Sequence, residues 1–179
     1  MLLHILLCVA ENGMRCFHRA VRARSAMHSR FPFSGDFSVN AALSDSTIDT
    51  VFSDEGAVRD LVNRSYCNGA YNALDTVAMA KGFHPDFAIV SAGVGVGTLE
   101  RYTIEEWIAA IDKRKAAPGF DIATAKRQCY LNSVDVTGNV ANVKMEVRKD
   151  GVRIYTDYLF LLRFADGWKI VSKIYQDHQ

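Results

Sequence analysis

The chain has 179 residues, 49% apolar and 23% charged, which is the size and make-up of one globular domain with a core of its own. A formal net charge of +1 leaves no basic stripe to track a phosphate backbone, so nucleic acid is excluded as a partner. Four scattered cysteines, Cys8, Cys16, Cys67 and Cys129, lack the paired C-x-x-C spacing of a zinc site or disulfide framework and fit reduced thiols.

Leu2 to Ala10 is apolar but too short for a membrane span, and it lacks the basic start of a secretory signal. From Asn12 to Gly35 there is no acid, while Arg15, Arg19, Arg22, Arg24 and Arg30 accumulate. Two readings stay open: an organellar transit segment, or a start codon placed upstream of the true one in a cytoplasmic protein. Phe31 to Thr50, rich in Ser and Asp, reads as a linker, so residues 1–50 are expected to be an extension and 51–179 the folded domain.

Ser53 is an N-cap with Asp54 and Glu55 behind it, and Val58, Leu61, Val62, Tyr66 and Ala70 follow at helical spacing. Asn68-Gly69 ends or loosens this helix. A second helix is expected over Leu74 to Lys81, closed by Gly82, with a short strand from Phe87 to Ser91 after Pro85. The run Ser91-Ala92-Gly93-Val94-Gly95-Val96-Gly97 has no G-K-[ST] and opens no helix, so it predicts a hairpin loop rather than a phosphate cradle. After a strand at Leu99 to Tyr102, Thr103 and Glu106 form a capping box for a helix carrying Ile104, Trp107, Ile108 and Ile111 on one stripe. Pro118-Gly119 breaks it, and a long strand is expected over Thr124 to Val136.

Two tight hairpins then join Val140 to Lys149, Val152 to Phe164 and Gly167 to Tyr175; Asp150-Gly151 is the strongest turn signal, since both positions favour φ > 0. Unbroken two-residue hairpins put Met145 opposite Thr156, Val143 opposite Tyr158 and Tyr158 opposite Lys173. Period-two alternation then gives an inner face with Met145, Tyr158 and Lys173, and an outer face with Asp157 opposite Lys144 beside Leu159, Leu161, Trp168, Ile170 and Ile174. Helices segregated from an antiparallel sheet predict an α+β fold: about three helices against a curved sheet, a cone enclosing a pocket.

That element order, with Gly82-Phe83-His84-Pro85-Asp86-Phe87, Glu105-Glu106-Trp107-Ile108, Ser133-Val134-Asp135-Val136-Thr137-Gly138, Thr156-Asp157-Tyr158-Leu159 and Trp168-Lys169-Ile170-Val171-Ser172-Lys173, resembles the nuclear transport factor 2-like superfamily. Within it the chain is most similar to small bacterial proteins labelled lumazine-binding, over about Ser53 to His178. The resemblance implies the cone fold and leaves function open, because the superfamily holds isomerases, dehydratases, cyclases and plain binding proteins. In ketosteroid isomerases a carboxylate base and a protonated acid with a tyrosine do the chemistry. By offset the base position falls on Ser91 and the acid on Phe160, neither able to serve, and only Tyr66 matches; steroid isomerisation is therefore not expected.

The expected function is binding of a small, partly aromatic or carbonyl-bearing molecule, with Tyr66, Ser91, Trp107, Tyr130, Met145, Tyr158 and Lys173 lining the pocket. Lys173, an ammonium on an apolar face, must be partnered or reach the rim. One alternative is a dehydratase- or cyclase-like enzyme with His84 as general base; another is a structural dimerisation module. No metal-ligand cluster is expected, no cofactor motif is found, and no membrane partner is expected. The outer residues Leu159, Leu161, Trp168, Ile170 and Ile174 predict a homodimer interface.

Overall fold

The computed structural model describes residues 54–93 and 95–179. The expectations about residues 1–50 and the Ser53 cap lie outside the described residues. Helix α1 is α-helical over residues 54–61 and continues with wider π winding over Val62–Asn72, so Asn68-Gly69 lies inside the helix instead of ending it. Helix α2 (Thr76–Gly82) starts at Asp75, whose side chain accepts from the Ala78 amide. Strands β1 (Phe83–Ala92) and β2 (Leu99–Thr103) pair antiparallel, and the Gly93 amide donates to the Thr98 carbonyl, which makes the glycine run the hairpin loop expected of it. Helix α3 (Ile104–Lys115) opens on the Thr103/Glu106 capping box. The next segment is a 3-10 turn, Ile122–Ala125, before β3 (Gln128–Thr137), a later strand start than the sequence suggested.

β3, β4 (Val140–Lys149), β5 (Val152–Phe164) and β6 (Gly167–Asp177) complete a six-stranded sheet of order β2-β1-β6-β5-β4-β3. It is antiparallel except where β1 meets β6. The three helices cover the concave face, giving the α+β cone. Tyr66, Phe83, Phe87 and Trp107 meet edge-on or stacked at 4.7–6.3 Å between helices and sheet, the heart of the core. Among the described residues no helix is long and apolar enough to cross a membrane.

The hairpin register holds near each turn and breaks beyond it. Asp150 (φ 51°) and Gly151 (φ 80°) form the left-handed turn, and Lys149 pairs with Val152 and Arg148 with Arg153. The next pair is Val147 with Tyr155, so Ile154 is an extra residue with no partner across the ladder. A bulge of this kind bends a strand and reverses the facing of everything past it. Met145 therefore lies opposite Asp157, Val143 opposite Leu159 and Lys144 opposite Tyr158.

A second bulge, at Val171, separates Ile170 opposite Leu161 from Ser172 opposite Phe160. It restores the parity that the first had reversed. Lys173 returns to the inner face, now opposite Leu159, and Ile174 lies opposite Tyr158 on the outer one. Between the two bulges the expected facing is corrected. Asp157 points in and Tyr158 out, while Leu159, Leu161, Trp168 and Ile170 are buried in the chain's own core and cannot serve as an exposed interface. Of the five residues expected at a dimer surface only Ile174 is exposed.

Candidate functional site

The concave face of β5 and β6 brings two opposite charges together under α1. Asp157 is 0% and Lys173 1% exposed, with Lys173 Nζ 3.0 Å from Asp157 Oδ1. Tyr66 closes the set: its hydroxyl donates to Asp157 Oδ2 at 2.6 Å and accepts from Lys173 Nζ at 2.6 Å. The rings of Tyr175, Tyr66, Trp107 and Tyr155 stand 5.0, 5.2, 5.7 and 5.8 Å from Nζ, so the cation is also held by aromatic faces. Met145 forms the floor, opposite Asp157 on β4.

The local sequence explains each position. π winding places Tyr66, Cys67 and Ala70 on the buried side of α1, and the Ile154 bulge turns Asp157 inward to meet Tyr66. Burial, then the charge of Asp157, pushes the Tyr66 phenol well above its ordinary range. The same two causes raise Tyr71, whose hydroxyl lies 3.5 Å from that of Tyr66. Both phenols are thus retained as hydrogen-bond donors at any physiological pH. Asp157 Oδ1 is buried with no well-aligned hydrogen bond in the structure and faces the ammonium by charge alone.

Of the residues expected to line a pocket, Tyr66, Trp107, Met145 and Lys173 converge here. Ser91 does not reach the centre. It lies in a surface cleft of about 330 Å³ with Val90, Leu99, Ile174, Tyr175 and Asp177. Tyr175 belongs to both places, lining that cleft while its ring stands over Lys173. Tyr130 is half exposed on the outer side of β3 beneath the Arg148 guanidinium, 5.2 Å away. Tyr158 is on the outer face with Lys144 Nζ 5.7 Å from its ring. Neither enters the cone. His84 stacks on Phe164 at 5.0 Å, and its Nδ1 accepts from the Asp86 amide, so it is held locally at the start of β1. Phe160, where the isomerase offset put an acid, is exposed; the acid that meets Tyr66 is Asp157. Sequence reasoning missed Asp157 because no residue type announces the bulge at Ile154.

The family model described as "Putative lumazine-binding" matches residues 53–176, and the chain belongs to that family. Among solved structures it is similar to an NTF-2 like protein of unknown function from Silicibacter pomeroyi, at 24% identity over 72% of this chain and 98% of that one, with a TM-score of 0.55. A second NTF2-like protein of unknown function, from Shewanella baltica, matches at 22% identity over 72% and 96% of the two chains, also with a TM-score of 0.55. These likenesses establish the fold. No curated protein matches the chain.

Proposed function

We propose that the protein binds a small planar molecule, partly aromatic or carbonyl-bearing, at the Tyr66–Asp157–Lys173 centre. The observation that carries this is the buried ion pair itself. Removing two charges from water costs several kcal/mol each, and well-packed apolar residues usually serve stability as well or better, so a buried pair is weak evidence of a structural role. Asp157 Oδ1 offers an acceptor, Lys173 a donor and the surrounding rings a stacking surface, the mixture that small-ligand sites use. The cleft lined by Ser91 and Tyr175 supplies the way in, with Tyr175 as the group that must move.

Native mass spectrometry of protein purified without added ligand tests this. A bound mass in the wild type that is lost in Asp157→Asn and Lys173→Met supports the reading. An empty wild type that also fails to bind pteridine, flavin and aryl-carbonyl probes by calorimetry overturns it.

A second reading, a structural module, is favoured by the way the cone's own aromatic rings fill its centre. Under it, Tyr66→Phe/Asp157→Leu/Lys173→Met would be clearly less stable than wild type, and the wild type would carry no bound mass to lose.

The outer face fits a homodimer. Tyr158, Phe160, Leu162, Phe164 and Ile174 are each more than a third exposed on neighbouring strands, a patch that monomers seldom leave in water. Sedimentation at micromolar concentration should give twice the chain mass; a monomer would sink the assignment. The folded unit is taken to begin near residue 51, and a chain starting near Asp49 should unfold cooperatively like the full one.

A further inference from the structure

We propose that Lys173 is a Schiff-base lysine, whose amine condenses with the carbonyl carbon of an aromatic aldehyde admitted to the cone. The bond would form at the ligand site proposed above and depends on that site being real. Among cationic side chains lysine alone gives a primary amine on losing a proton, and a desolvated lysine beside a proton acceptor is how carbonyl chemistry obtains one. Lys173 is 1% exposed, and its Nζ lies 3.0 Å from Asp157 Oδ1. The Tyr66 hydroxyl, 2.6 Å from both Nζ and Asp157 Oδ2, holds amine and acid side by side.

Two features suit an imine. The first is charge: a protonated imine keeps the positive charge of the ammonium it replaces, so the carboxylate that balances Lys173 would balance the product as well. The second is shape. The rings of Tyr66, Trp107, Tyr155 and Tyr175 surround Nζ at 5.0–5.8 Å, and such walls receive a flat, conjugated aryl iminium as readily as an ammonium. Tyr175, the nearest of the four, also lines the surface cleft beside Ser91, so it is the ring an incoming aldehyde displaces.

The reaction begins when a proton passes from Nζ to Asp157 Oδ1, leaving an uncharged amine and a carboxylic acid. The amine lone pair attacks the carbonyl carbon, the C=O π pair moves to oxygen, and that oxygen takes the proton from Asp157. The nitrogen, now carrying the positive charge, gives one proton to Asp157. From there it goes to the carbinolamine hydroxyl, which leaves as water while the nitrogen lone pair forms C=N. One aldehyde and one ammonium become one iminium and one water, and Asp157 ends as the carboxylate it was. Burial and the charge of Asp157 keep the Tyr66 phenol protonated, so it orients the pair as a donor throughout.

The test is reductive trapping on the full-length protein. Benzaldehyde is added with sodium cyanoborohydride and the peptides are mapped, while calorimetry with benzaldehyde alone reports whether the aldehyde binds at all. The expected product is a benzyl group on Lys173 ahead of the exposed Lys113, Lys126 and Lys144, a preference that vanishes in urea. Asp157→Asn keeps the shape of the acid but cannot take the proton, so it should slow trapping at Lys173 about a hundredfold and leave the exposed lysines unchanged. Benzaldehyde that binds with no adduct at Lys173 overturns the Schiff base and leaves the ligand site standing. Benzaldehyde that neither binds nor reacts there also overturns it, and failure of the pteridine and flavin probes as well removes the site with it. Labelling confined to exposed lysines is equally fatal to the Schiff base. Because the wild-type map decides by itself, a variant that folds poorly does not blunt the test.

Discussion

The two faces of one sheet each depart in one place from an ordinary half-buried sheet. On β5 and β6 the concave face, sealed by helices, carries Asp157 and Lys173, while the open face carries Tyr158, Phe160, Leu162 and Ile174. One ion pair is sealed within an otherwise apolar inner face, and an apolar patch is left on the outer one. Neither placement helps a lone monomer: the first incurs desolvation of two ions, and the second leaves apolar area in water. Under the proposed function both become commitments to something beyond the chain, a ligand within the cone and a partner against its back. The contrast teaches that the faces should respond differently to mutation, the inner through fold stability and the outer through association.

Breaking the inner set on one side should have the largest effect. Lys173→Met removes the cation and leaves a buried carboxylate, hydrogen-bonded by the Tyr66 hydroxyl, without its counter-charge. Loss of one partner from a buried pair costs about 3–5 kcal/mol, to be read as a fall in the urea midpoint at constant m. The double change Asp157→Leu/Lys173→Met removes both charges and should recover most of that loss. If the double variant were as unstable as the single, the pair would be a structural requirement and the contrast between the faces would fail.

Tyr66→Phe is the next largest. It keeps the ring packing against Phe83 and Trp107 but deletes one donor to Asp157 and one acceptor for Lys173, a loss of about 1–3 kcal/mol at neutral pH. It also alters the alkaline limb. Tyr66, Tyr71 and Tyr155 all titrate above their ordinary range, chiefly through burial. For a group raised in the fold, the unfolded chain releases its proton first. The stabilisation is fully present below the unfolded tyrosine value of about 10 and is lost as pH rises from there toward the folded values. Stability should thus be flat from neutrality to about pH 9 and fall steeply above about pH 10. In Tyr66→Phe the fall should be shallower, by one proton's worth of slope. An unchanged slope would mean that Tyr66 ionises freely and is not sealed in.

How much of this was legible in the sequence depended on distance from a turn. Asp150-Gly151 fixed the pairing of Lys149 with Val152, and the Thr103/Glu106 box fixed the start of α3, because each rests on chemistry within four residues. The bulges at Ile154 and Val171 answer to the curvature of the whole sheet and the helices packed on it, which no local signal carries. One unseen residue therefore exchanged Asp157 for Tyr158 at the centre of the site. Lys173 kept its inward facing only because the second bulge undid the first. Tyr66 and Trp107 were legible from helical spacing and Tyr175 from its alternation with Lys173, while Tyr155, which also stands over Lys173, depended on the same hidden register. Helix α1 was legible as a helix, and its π winding was not.

The outer face should show the smallest effect on the fold and the clearest effect on assembly. Phe160 lies between Asn142 on β4 and Ser172 on β6, near the middle of the exposed aromatic patch. At 42% exposure it contributes little to the monomer's own core, so Phe160→Glu should shift the stability of the isolated fold by no more than about 0.5 kcal/mol. In a twofold interface the same change sets two carboxylates facing each other at the centre of a desolvated patch. A central aromatic anchor is worth about 2 kcal/mol or more, so dissociation should be easier by at least roughly thirtyfold. Sedimentation across a concentration series would show monomer where the wild type is dimer, with circular dichroism and thermal midpoint nearly unchanged once the wild type is measured below its dissociation constant. A large loss of monomer stability would show that Phe160 is held by its own chain. The outer face would then be a second packed surface, and the division between a ligand-facing interior and a partner-facing exterior would not hold.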